Sequence, residues 1–424
     1  MSVAAVKNAL PESFVPEPAD VLPAQGAWLE ERRARAMQVF QAGGIPHRRV
    51  EEWKYSDLRN ALEAERGGTN EVVVLPSRDP FATIAGPRLV LRDGSFDTPR
   101  VRVPDNVEVR DLATLGDDAP DWIGRSLGCV LSNGMGQASL AFMRGGAAVR
   151  IGRGTEVTIH LRFLQQIEIS HARVLIVVEE GASLLLLESH ARMRGVMNLG
   201  LEILLQPNAR VTHVRLADAA PEAVLVEEIG VTAARDAHYR AHLPQAGARL
   251  SRLELRTKLE GAGAEAALDG AGVLCGRLHA DVTTHVEHVA GKTASRQLFK
   301  YIAGGHSRAV YQGRISVHKG ADGSDSRQTA KAILTGERAE ADLKPELEIL
   351  ADDVKCAHGA AVGDLDRDSL FYLRARGIPE AEARELLLRA FLEEAVAEIT
   401  NENIRSIVWN FVENYLPKAL DEVT

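Results

Sequence analysis

Cys356 and His358 stand two residues apart in the run Asp352-Asp353-Val354-Lys355-Cys356-Ala357-His358-Gly359-Ala360-Ala361-Val362-Gly363. The alternation of that run otherwise reads as β-strand. In an extended chain successive side chains point to opposite faces, so residues two apart share one face. A soft thiolate and a borderline imidazole on one face suit iron, zinc or an iron–sulfur species. Two ligands from one strand cannot close a four-coordinate centre, so further donors must come from elsewhere in the fold or from another chain. The competing reading is a buried cysteine beside a hydrogen-bonded core histidine, the ordinary outcome for a bare C-x-H.

Other catalytic signatures are missing from the sequence. It contains no Gly-x4-Gly-Lys-Ser/Thr run, so any ATP hydrolysis belongs to a partner. It contains no C-x2-C pair, H-E-x2-H or paired E-x2-H di-metal motif either. Gly261-x-Gly263 and Gly270-x-Gly272 read as glycine corners of strands, since no helix follows them as a dinucleotide fingerprint requires. His279, His285 and His288 share a β run with Cys275 and read as surface or wall residues. The dense acidic candidates are Glu346, Glu348, Asp352 and Asp353.

The frame that must hold Cys356 and His358 is repetitive. From about 146 to 365 the chain shows short β runs, at 157–163, 167–169, 174–178, 184–188, 201–205 and 211–216, punctuated by Gly and Ala. The corners look alike: Glu180-Gly181-Ala182-Ser183, Gln206-Pro207-Asn208-Ala209 and Gln245-Ala246-Gly247-Ala248. Ala182 to Ala209 is a step of 27 residues and Ala209 to Ala248 one of 39, so the repeat reads as irregular. Short strands with small corner residues predict a solenoid of stacked β coils, each burying its inward residues against its neighbours. An antiparallel sandwich is the competing architecture. Residues 1–24, with Pro11, Pro16, Pro18 and Pro23, read as a loose lead-in. Residues 25–145 form a helical and mixed domain, opening with a helix whose stripe is Trp28, Leu29, Ala36, Val39 and Phe40. That helix stops at Gly43-Gly44-Ile45-Pro46. Residues 366–424 return to helix. Asp366 or Asp368 caps the first, and Pro379 sits in the first turn of the second, where Leu387, Phe391 and Ala395 share a face. A third, over 401–416, carries Ile404, Ile407, Val408, Phe411, Tyr415 and Leu416.

Composition sets outer bounds. Aromatics make up 5% of the 424 residues, which suits a regular aliphatic core better than an aromatic-lined pocket. The net charge of −9 leaves no basic footprint for nucleic acid. No apolar run is long enough to span a bilayer, and 1–23 lacks the features of a signal peptide. Three cysteines, at 129, 275 and 356, are odd in number and widely spaced, which points to a reducing, cytoplasmic setting without disulfides.

The flanks of the Cys-x-His run carry a resemblance. Upstream lie Gly305-His306-Ser307-Arg308-Ala309-Val310-Tyr311-Gln312-Gly313 and Lys344-Pro345-Glu346-Leu347-Glu348-Ile349. Downstream are Gly363-Asp364-Leu365-Asp366 and Leu370-Phe371-Tyr372-Leu373-Arg374-Ala375-Arg376-Gly377-Ile378. Near the N-terminus stand Gly44-Ile45-Pro46 and Glu51-Glu52-Trp53-Lys54-Tyr55-Ser56. In order and spacing these closely resemble the SufD family, subunits of the SufB–SufC–SufD scaffold that assembles iron–sulfur clusters, from about residue 25 to 400. The resemblance implies a right-handed parallel β-helix with helical domains at both ends. It implies a non-catalytic scaffold that pairs with SufB through the β-helix and binds the SufC ATPase through the C-terminal helices. It also implies a transient iron–sulfur cluster or iron at the SufB–SufD interface, with His358 matching the family's interface histidine and Cys356 its neighbour. Alternatives are a SufB-like paralogue, a self-pairing homodimer, or a carbohydrate-active β-helix enzyme. A SufB-type Glu-His-Glu-Ala run is replaced here by Cys356-Ala357-His358-Gly359-Ala360.

Overall fold

The computed structural model describes residues 14–17, 21–23, 26–63, 79–97, 102–131 and 134–421, so most of the 1–24 lead-in lies outside the described residues. From Gly145 to Gly363 strands of mostly ten residues alternate between two sheets, and each parallel partner lies two strands away in sequence. The result is a parallel β-solenoid of about eight coils with helices at both ends. Strands of one sheet begin at Glu156, Ser183, Arg210, His238, Glu265, Ala294, Asp325 and Lys355, so a coil takes 27 to 31 residues.

The repeat is therefore close to regular, contrary to the 27-then-39 reading. Ala182, Ala209, Ala237 and Ala264 occupy the same tight corner, each fully buried with its N–H donated to the residue three back. Ala248 belongs to a different corner, where it bridges His279. The strands also run longer than the apolar runs suggested, because polar residues take inward positions midway along them. Gly270 and Gly272 are not corners but mid-strand residues. A Cβ at either would stand 2.5 Å from the Phe299 or Tyr301 ring of the next coil.

Inward columns such as Leu199, Leu201 and Ile203, or Ile229, Val231 and Ala233, are at most 1% exposed and form one continuous core. At the N-terminal end that core is closed. Strand Arg88–Arg92 adds in parallel to Glu156–Leu164, and Val107–Asp111 adds antiparallel to Gly145–Ile151. Helix Ala27–Gly43 buries Leu29, Ala36 and Phe40, while Val39 turns to solvent; Gly44, at φ 66°, closes it by donating to Phe40 O at 2.7 Å.

The C-terminal helices Glu380–Val396 and Glu402–Glu413 lay Leu388, Leu392, Ala395, Ile404, Val408 and Val412 over Ala271, Val273, Leu298 and Ile302 on the outside of one sheet. Of the expected face Ala395 is buried and Phe391 partly so, with the Lys300 ammonium 4.6 Å from its ring centre, while Leu388 and Leu392, one residue on, are the fully buried positions. Pro379 stands just before its helix, as the N-cap, rather than in the first turn. Helix Arg367–Ala375, capped by Asp366 through a 2.6 Å bond from Ser369 N–H, buries nothing.

Candidate functional site

Among the described residues the last coil ends the solenoid without a cover. Strand Glu340–Ile349 is the edge of the nine-stranded sheet and Lys355–Gly363 the edge of the ten-stranded one. The corner between them is fixed by Gly323 N–H to Asp353 O at 2.6 Å and Lys355 N–H to Ser324 O at 2.9 Å. This sets the register that pairs Ser326 with Cys356 and Gln328 with His358. In strand Asp325–Leu334 the buried residues are Ser326, Gln328, Ala330 and Ala332. Parallel partners share a face, so Cys356, His358, Ala360 and Val362 continue the inward column where no coil follows. Ala341, Leu343, Leu347 and Ile349 do the same on the other sheet, above Ala309, Tyr311, Ile315 and Val317. Ile349, Leu350 and Val362 are 43%, 62% and 46% exposed, an apolar rim rather than a solvated end.

The two candidate donors differ in environment. Cys356 is half-buried against the small apolar group of Ile315, Val317 and Ala321. Burial, and then the nearby Asp325 carboxylate, push its thiol up from the usual value, so it stays protonated at neutral pH until a metal displaces the proton. His358 is exposed. Two strand residues of like face lie about 6.7 Å apart along the backbone, close enough for both side chains to reach one polynuclear species.

Below them runs a polar ladder that sequence reasoning missed. Ser326 bonds Ser295 at 2.6 Å, and Ser295 bonds His288 at 2.9 Å. Gln328 donates to the Tyr311 hydroxyl at 2.8 Å, which meets Gln297 at 3.0 Å. Gln328 Oε1 remains buried without a partner, an acceptor one coil beneath His358. The signal was present: Ser-Arg-Gln occurs at 295–297 and again at 326–328, and Cys-Ala-His occupies the third register.

The other histidines are held as wall residues, as their run suggested. His279 meets Ser56 at 3.0 Å, His285 meets Ser316 at 3.0 Å and His288 is a buried corner residue on Thr293 at 2.8 Å. Burial drives all three down to about 4. Cys275 is buried and Cys129, far along the chain, is exposed. Among the described residues one group of three close metal-type donors occurs, Glu188, His190 and Glu227, and no reading of the sequence had singled it out.

The Glu51–Ser56 segment also finds its role. Trp53 lies 4.1 Å under the Arg252 guanidinium, which donates to Glu52 O at 2.8 Å and to Asp281 at 2.5 Å. Gln312 donates to the same Glu52 carbonyl at 3.1 Å, and Lys344 of the edge strand pairs with Glu51 at 2.8 Å. The segment therefore clasps four successive strands of one sheet, up to the open end.

Comparison with known families agrees with this geometry. The model for the SUF system FeS cluster assembly, SufBD core domain, matches residues 162–391, more than half of the chain, and that for the SufBD protein N-terminal region matches 16–76. The chain belongs to the SufBD family of iron–sulfur cluster assembly proteins. It is 28% identical to the iron–sulfur cluster assembly protein SufD of Escherichia coli (strain K12), over 93% of this chain and 95% of that one. It is also 28% identical to an iron–sulfur cluster assembly SufBD family protein of Synechocystis, covering 88% and 87% of the two chains. Protein ABCI7, chloroplastic, of Arabidopsis thaliana is 29% identical over 74% of this chain and 70% of its own length. The SufD-type resemblance read from 305–377 thus holds across nearly the whole sequence. Among the described residues no helix is long and apolar enough to cross a membrane.

Proposed function

We propose that this SufBD-family chain is a non-catalytic scaffold subunit that pairs with SufB through the open end of its solenoid and binds the SufC ATPase through its C-terminal helices. A transient iron–sulfur cluster or iron is its cargo, held at the subunit interface by His358 with Cys356 beside it, and the isolated chain keeps no stable cofactor at that end. The observation that carries this reading is the edge strand Lys355–Gly363, paired on one side only and presenting both residues from an inward column that none of the described residues covers. Unpaired edges with apolar rims are surfaces that proteins cover, and a second solenoid with the same strand spacing is a natural cover. A thiol and an imidazole set there are hidden when the subunits close and reached when they part. A histidine donor suits a scaffold that must release its cluster.

The deciding experiment is co-expression with an ABC-type ATPase and a second SufBD-type chain. A complex containing all three is expected, and one disrupted by Val362→Asp at the rim would place the contact at this end. Recovery of the chain alone beside equal amounts of the other two would overturn the reading. The same exposed rim favours a self-paired dimer when the chain is isolated, which light scattering would register as loss of the dimer in Val362→Asp.

A further inference from the structure

The solenoid interior carries a polar island far from the open end. Glu188 and His190 on strand Ser183–Met193, His213 and Arg215 on Arg210–Ala219, and Glu227 on Val224–Ala233 lie on inward columns otherwise filled by Leu, Ile, Val and Ala. All five are at most 2% exposed. Glu188 is the hub. His190 Nε2 meets its Oε1, His213 Nε2 meets its Oε2 at 2.9 Å, and Arg215 Nε stands 3.5 Å from Oε1. Arg215 Nε also meets Glu227 Oε2 at 2.6 Å, and His190 Nε2 is 3.7 Å from that oxygen. Donor atoms of Glu188, His190 and Glu227 all fall within 4.8 Å of one another.

Both imidazoles are held from behind. Tyr239 OH meets His213 Nδ1 at 3.1 Å, Met193 Sδ lies 3.3 Å from His190 Nδ1, and Phe163 stacks on the His190 ring at 4.8 Å. Each ring therefore turns its Nε2 toward the carboxylates, the arrangement in which outer partners orient metal-binding histidines. Two carboxylates face one guanidinium, and Glu227 Oε1 is fully buried without a partner, as are Nη1 and Nη2 of Arg215. A divalent cation seated there would satisfy the orphaned carboxylate oxygen and take the place of a proton as counter-charge to the second carboxylate.

We propose that this island is a divalent transition-metal site, with Glu188, His190 and Glu227 as ligands and His213 as a further donor across Glu188. Mixed imidazole and carboxylate donors select zinc or iron(II) over calcium and magnesium, which take oxygen alone, and over copper(I), which prefers sulfur. Arg215 stays on Glu227 and limits the charge the ion must meet. Coils enclose the site, so the ion enters as the strands close in folding and leaves only on unfolding. That separates it from Cys356 and His358 at the open end, and the inference does not depend on their role.

The test unfolds the full chain in denaturant with a chelator and refolds it with zinc, with cobalt(II), or without metal, followed by desalting. The expected result is about one ion per chain, retained by native protein against excess chelator, and a higher melting temperature than the metal-free refold. Anomalous scattering from cobalt-refolded crystals should place the ion between Glu188 and Glu227. Glu227→Gln and His190→Gln should lower retention roughly tenfold or more, while His358→Ala leaves it unchanged. Wild-type chain refolded with metal but holding under about a tenth of an ion, or losing it to chelator within minutes, overturns the proposal. So does retention undiminished in both variants. Should the variants fail to fold, wild-type stoichiometry and the anomalous peak decide alone: an ion anywhere else counts against the site.

Discussion

His358 and Cys356 share a strand face but not an environment, and that difference predicts unequal consequences of removing them. His358 is exposed and makes no bond on which the coil depends, so His358→Ala should change stability by less than about 0.5 kcal/mol. In the reconstituted three-component complex the same substitution should lower cluster content by about tenfold or more, because it removes the proposed ligand. Cys356 packs on Ile315 and Val317, and its thiol is pushed up, so Cys356→Ala should be milder for assembly while loosening the corner slightly. Absorbance, iron analysis and thermal melting on the same samples separate the cases. Normal cluster content in His358→Ala removes the donor role; low content with a collapsed melt makes the residue structural. The ladder beneath offers a finer test. Gln328→Leu keeps volume but removes the acceptor below His358, and a positioning role predicts reduced cluster content that Gln328→Glu partly restores.

Among the described elements, helix Arg367–Ala375 buries no residue and leaves its aromatic side chains to solvent. Phe371 and Tyr372 are 73% and 57% exposed, whereas the following helices spend their stripes on the sheet. Exposed aromatics of this kind are typical interface anchors. Phe371→Ala with Tyr372→Ala is expected to weaken ATPase binding by about 2 kcal/mol or more without shifting the melt; unchanged affinity by calorimetry moves the docking face elsewhere. The clasp at Trp53 belongs to the same scale and has the opposite signature. Trp53 is 5% exposed, so Trp53→Ala should cost about 3 kcal/mol, seen as an earlier denaturant midpoint. How legible these elements were follows from their physics. Runs such as 157–163 and 174–178 showed themselves because their inward residues are all apolar. The strands through Glu188 and His213 were read only to 188 and 216, and the one through Glu227 was not read, because inward polar residues broke the apolar pattern. Ala248 misled because a small residue at a corner does not say which corner of the coil it occupies. The face of Glu380–Val396 slipped by one residue because Leu386, Leu387 and Leu388 stand in a row, and periodicity alone cannot choose among them. Cys356 and His358 were legible as a pair. The lumen island was not, since its members are separated by whole coils and meet only once the register is known.

For the whole molecule, one end of the solenoid is sealed by added strands and the other left open, while titratable groups are sunk along its length. These make stability a function of pH with a sign that can be worked out. Burial lowers His171 and His279 to about 4 and His242 to about 3, against about 6.5 in an unfolded chain. Between those values the unfolded state binds protons that the folded state refuses, so their stabilisation is complete above about pH 6.5 and is lost as pH falls toward 4. Glu228 and Asp269 act the other way. Burial, with Glu254 and Glu398 as nearby like charges, raises both to about 7, so the folded state holds protons the unfolded state has released. Their contribution is complete below about pH 4 and is lost as pH rises through 7. The expected profile is a maximum between about pH 6 and 7, with an acid limb set by the histidines. His171 is the cleanest handle, being fully buried with its Nε2 3.0 Å from Phe14 O, a carbonyl to which a glutamine amide can also donate. His171→Gln should therefore cost some stability at pH 7.5 and recover up to about 3 kcal/mol of relative stability by pH 4.5, as the lowering of the imidazole to about 4 no longer acts. Denaturant midpoints measured for both proteins across pH 4.5 to 8 give the answer: converging curves support the buried neutral imidazole, and curves that stay parallel to the acid end mean that His171 is not what the acid limb reports.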